Sequence, residues 1–137
     1  MGENQFSNTM NQIPEIYCSI AIFFEKKHDI NFIVDSMKQL EISEMKIHEP
    51  KFDHSICVEI ATIKNEPFWN LDDALTKMFL KIDGKMAELK KIVKKYDGDV
   101  CIDIAFYQYG TYPVLVFSAE TMKKIHYLDA VISIDPY

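Results

Sequence analysis

The stretch 100–117, Val-Cys-Ile-Asp-Ile-Ala-Phe-Tyr-Gln-Tyr-Gly-Thr-Tyr-Pro-Val-Leu-Val-Phe, concentrates β-branched and aromatic residues, the types that suit a pleated, half-buried surface. At period two, Val100, Ile102, Ile104 and Phe106 share one side, while Cys101, Asp103, Ala105, Tyr107 and Tyr109 share the other. An apolar face backed by a mixed one predicts a strand at the centre of a sheet. Gly110-Thr111 then predicts a turn that closes a hairpin with the residues after it.

Upstream, Asn70 is placed to cap a helix with Asp72 and Asp73 in its first turn and Leu71, Leu75, Met78 and Ile82 on one face. Met86, Leu89, Val93 and Tyr96 continue the helical spacing, but Gly84 between the two sets predicts a break. Lys90, Lys91, Lys94 and Lys95 sit where the helix dipole favours cations, and Asp97-Gly98 supplies the stop. These lysines are expected to form a solvated face.

Earlier in the chain, residues 15–25 set Cys18, Ile20, Ile22 and Phe24 opposite Tyr17, Ser19, Ala21 and Phe23, as in a strand. Lys26 to His28 are expected to end it. Asp29 can cap a helix bearing Ile30, Ile33, Met37 and Leu40. A weak extended segment at 45–48 and a clear strand at 54–64 follow, and a turn is expected at 65–67. After the opening stretch, Ser118 can cap a helix with Met122, Ile125 and Leu128, before a last strand at 130–134. The order predicts an α+β fold: a single domain with a mostly antiparallel sheet, containing a ferredoxin-like split β-α-β-β-α-β unit with an added C-terminal helix and strand. Residues 1–13 read as a flexible N-terminal tail and 14–137 as the domain.

The 137 residues, 48% hydrophobic, match one domain able to bury a core without staples. The sequence shows neither a membrane span nor a signal peptide, so the expected location is cytoplasmic. Cys18, Cys57 and Cys101 lie far apart, one in each of three expected strands, and read as free buried thiols. A net charge of -6 opposes nucleic-acid binding, and all 15 basic residues are lysine, which excludes arginine-finger and arginine-clamp chemistry.

Several features resemble the bacterial family called domain of unknown function 4279. They are the early strand with its Asp29-capped helix, Phe68-Trp69-Asn70-Leu71 leading into the long helix, and the closing Ala130-Val131-Ile132-Ser133-Ile134-Asp135-Pro136-Tyr137. The resemblance implies a compact single bacterial domain and no established activity.

No catalytic pattern emerges from the residues. Glycines at positions 2, 84, 98 and 110 cannot form a phosphate cradle, so no nucleotide cofactor is expected. His28, His48, His54 and His126 are dispersed. His48 and His54, with Glu49 and Asp53, could converge in a hairpin, but no metal is expected. Each cysteine stands among apolar strand residues that should raise its pKa and blunt it as a nucleophile. Asp103, Tyr107, Tyr109 and Tyr112 remain as a candidate binding surface, since tyrosine joins a large contact area to a polar tip. The same tyrosines also suit an ordinary strand shielded by helices. The leading expectation is a small acidic protein-binding domain of immunity or regulatory type, without catalytic activity, whose partner is another protein. A small-molecule site or enzyme with a tyrosine-lined pocket around Asp103 is the alternative, and a homodimer through a sheet edge is a further expectation.

Overall fold

A computed structural model describes residues 13–25, 29–48, 55–107 and 111–137. The 1–12 tail, the 26–28 strand end, Glu49, Asp53, His54, Tyr109 and Gly110 lie outside the described residues. In chain order the elements are β1 (Glu15–Glu25), α1 (Ile30–Lys38), β2 (Lys46–His48), β3 (Ser55–Pro67), α2 (Leu71–Leu80), α3 (Met86–Lys95), β4 (Asp99–Tyr107), α4 (Ala119–Tyr127) and β5 (Val131–Pro136). They form an α+β fold around one five-stranded sheet of order β2-β3-β1-β4-β5.

The first four strands pair antiparallel, and β5 joins β4 in parallel. Strand β1 therefore takes the middle, with β4 beside it. The order of the first four strands is that of the split unit expected from the sequence. Adding β5 in parallel requires a crossover, which α4 supplies.

Period two then sorts the side chains. Ile16, Cys18, Ile20, Ile22 and Phe24 of β1 and Val100, Ile102, Ile104 and Phe106 of β4 are buried on one face. Against them lie Ile33 and Met37 of α1, Leu71, Leu75, Met78 and Phe79 of α2, and Leu89 of α3. The approach is close at Gly98, where an added Cβ would lie 2.6 Å from Phe24 Cε1 and 2.9 Å from Ile22 Cγ2.

The break at Gly84 is present: its φ of +76° is open to glycine at little cost, and it falls between α2 and α3. Asp29 caps α1 by accepting from Asn31 N at 2.9 Å, and Ser118 caps α4 by accepting from Thr121 N at 3.1 Å. Asn70 holds the extended backbone of an N-cap, but its side-chain amide donates to Asp73 Oδ2 at 3.2 Å and caps no N–H.

Two expectations are corrected. No hairpin partner follows β4 among the described residues, because β5 fills that edge in parallel. Val114 instead bridges to the chain leading into α2: its N–H donates to Trp69 O at 2.7 Å, and its carbonyl accepts from Leu71 N at 2.9 Å. Residues 65–67 are not a turn either. Strand β3 runs through them with a register shift, so that Lys64 and Asn65 stand opposite Tyr17 alone and Asn65 takes a φ of +23°.

Candidate functional site

The second face of the sheet has no helix against it among the described residues. It carries Tyr17, Ser19, Ala21 and Phe23 from β1, Cys101, Asp103, Ala105 and Tyr107 from β4, and Val131, Ser133 and Asp135 from β5. On the β2–β3 side its polar groups satisfy one another. His48 Nε2 lies 3.5 Å from Glu59 Oε2, and the Thr62 hydroxyl donates to the same carboxylate.

The β1–β4–β5 side differs. The register sets Ala105 between Tyr17 on β1 and Asp135 on β5, with Asp103 and Tyr107 two residues away along β4 in either direction. A methyl group among longer side chains leaves a hollow. It is a cleft of about 310 Å³, walled by Tyr17, Asn65, Asp103, Tyr107, Asp135 and Tyr137. Tyr107 and Tyr137 stack with ring centroids 5.1 Å apart and planes 19° apart, and Tyr137 N donates to Phe106 O at 2.9 Å to hold the strand end in place. Burial, and then the nearby Asp135 carboxylate, push the Asp103 pKa above its ordinary value.

A larger cleft of about 460 Å³ lies along the part of β3 that β2 does not cover, lined by residues that include Glu44, Glu66 and Lys81. Two of its carboxylates already hold lysines. Lys81 Nζ donates to Glu44 Oε2 and to Thr62 O, each at 2.7 Å, and Lys77 Nζ donates to Glu66 Oε1 at 2.6 Å.

Of the residues singled out in the sequence, Asp103 and Tyr107 meet at the smaller cleft. Tyr112 does not join them: it is 65% exposed and meets Phe106, a residue of the helix-covered face, edge-on at 6.4 Å. Tyr109 lies outside the described residues. Sequence reasoning missed Tyr17, Asn65, Asp135 and Tyr137. Period two already sets Tyr17 on the side of its strand opposite the apolar residues, but only the register reveals which strand end it meets.

Of the cysteines, only Cys18 is fully buried, while Cys57 and Cys101 are half-buried on the helix-free face. Burial pushes the Cys18 thiol up to about 12, and burial followed by neighbouring carboxylates raises Cys57 and Cys101. A thiol held protonated is a poor nucleophile. Among the described residues no three His, Cys, Asp or Glu side chains group as metal ligands, and no helix is long and apolar enough to cross a membrane.

No curated protein and no solved structure matches the chain. A family model does match residues 60–137, from within β3 to the last residue, and so takes in every cleft residue except Tyr17. The match covers more than half of the sequence, and the chain belongs to the family of the domain of unknown function DUF4279.

Proposed function

We propose that the chain is a bacterial, cytoplasmic protein-binding domain of immunity or regulatory type, without catalytic activity, and that it meets its partner through the helix-free face of the sheet. One observation carries the reading. That face leaves Phe23 41% and Val131 65% exposed at one end, and Tyr137 66% exposed beside the half-buried Tyr107 at the other, in a chain of net charge -6. Aromatic residues are the favoured anchors of protein interfaces, and acidic groups among them discriminate between partners by charge.

The test is affinity capture from lysate of the encoding cells with the wild-type chain, the Phe23→Ala/Tyr107→Ala variant and a Met122→Ala control on α4. The expected result is a stoichiometric partner held by wild type and control and lost from the double variant. A partner retained equally by all three, or none captured, overturns the reading.

A second reading places a small molecule in the cleft, favoured by the hollow over Ala105 and by an Asp103 carboxyl raised toward the range of a general base. A metabolite at 100 times its dissociation constant would add about 2.7 kcal/mol of stability, visible in a thermal-shift screen.

A further inference from the structure

We propose that the cleft over Ala105 receives a cationic side chain, arginine in preference to lysine, presented by a basic segment of the partner protein. The inference rests on the protein-binding reading of the same face and names the chemistry of the contact.

Three observations converge. First, two carboxylates, Asp103 and Asp135, come from neighbouring strands, with register partners Asp103↔Ser133 and Ala105↔Asp135 that set them diagonally across the ladder. Among the described residues no lysine or histidine lines the cleft, and the chain has no arginine, so the described lining presents like charges without a cation beside them. Elsewhere on the molecule carboxylates find lysines, as Glu44 finds Lys81 and Glu66 finds Lys77.

Second, tyrosines make up most of the remaining wall, with Asn65 among them. Tyr17, Tyr107 and Tyr137 place aromatic rings beside the carboxylates, and a ring face attracts a cation. A guanidinium can stack on a ring through its plane while donating a forked pair of hydrogen bonds to a carboxylate, which an ammonium cannot do. Third, the hollow exists because position 105 is alanine, and at about 310 Å³ it stands at the small end of ligand pockets, suited to a side chain rather than a cofactor. A divalent metal fits less well, since two carboxylates fall short of the oxygen set that such ions require.

The test uses the whole chain and three blocked peptides, Gly-Arg-Gly-Arg-Gly and its lysine and citrulline counterparts, titrated while backbone amide resonances are followed by NMR. The arginine peptide is expected to shift the resonances of Asp103, Ala105, Tyr107 and Asp135, the lysine peptide to shift them more weakly, and the neutral citrulline peptide to leave them unmoved. The Asp103→Asn/Asp135→Asn variant should bind the arginine peptide about tenfold more weakly. Ala105→Leu, which fills the hollow and keeps both charges, should abolish binding, with circular dichroism confirming that both variants fold. Equal binding of citrulline, undiminished binding by the double Asn variant, or shifts scattered outside the cleft overturns the inference. A partner that is lost from Phe23→Ala/Tyr107→Ala but held fully by Asp103→Asn/Asp135→Asn also overturns it while leaving the protein-binding reading in place.

Discussion

Asp103 illustrates what a single residue does in this sheet. Its carboxylate is partly desolvated and faces the like charge of Asp135, so ionising it in the folded chain is harder than in the unfolded one. Below the ordinary value of 3.8 both states are protonated and the group contributes nothing to the pH dependence. As the pH climbs through 3.8 toward the raised folded value, the unfolded state loses its proton first, and stability falls. Asp103→Asn is therefore expected to raise the Tm at neutral pH, with the gain vanishing below 3.8; thermal melts at the two pH values check this. A residue that lowers stability where it stands is of the kind expected at functional sites. Its type and its face can be read in the alternation of 100–107. Its acidic neighbour cannot, because Asp135 lies on another strand.

Among the elements, α4 depends on its first turn. Ser118 accepts from Thr121 N, and its own N–H donates to Asp72 Oδ1 at 2.9 Å, so one cap links α4 to the first turn of α2. The Ser118 backbone hydrogen bond is the main cause that holds the Asp72 carboxyl below its usual range. Ser118→Ala is expected to cost about 1 kcal/mol, the ordinary value of a lost N-cap, read by denaturant melts. Both helix starts with working caps, Asp29 and Ser118, stand out as acidic or hydroxyl residues ahead of apolar periodicity, and the break at Gly84 is equally visible. Asn70 has the right residue type and the right backbone, yet its side-chain N–H donates to the Asp73 carboxylate and its Oδ1 caps no backbone N–H. Residues 111–117 carry the β-branched composition of a strand, but composition only makes pairing favourable. Their backbone pairs with Trp69 and Leu71 at a single bridge, and β5 takes the place beside β4.

At the scale of the whole molecule, one core between helices and sheet holds the fold, while among the described residues no helix covers the opposite face. Leu75, fully buried on α2, is at the heart of that core, and Leu75→Ala is expected to lower unfolding free energy by about 2–5 kcal/mol in chemical denaturation, without altering contacts on the helix-free face. Residue order was enough to specify the helices, the break at Gly84, the α+β class and the apolar side of β1 and β4, because periodicity and capping act over a few neighbouring residues, whereas the expected hairpin strand after Gly110 and the expected turn at 65–67 were both overridden by pairing. The placement of β1 at the middle, the parallel pairing of β5 and the bulge at Asn65 required the folded chain, since each follows from pairing between distant segments, where a shift of one residue exchanges the faces. The cleft belongs to that second group. Asp103 and Tyr107 were in view from the beginning, but Tyr17, Asp135 and Tyr137 reach them only through the β1–β4 and β4–β5 registers, and the hollow between them exists because those registers bring longer side chains around the methyl group of Ala105.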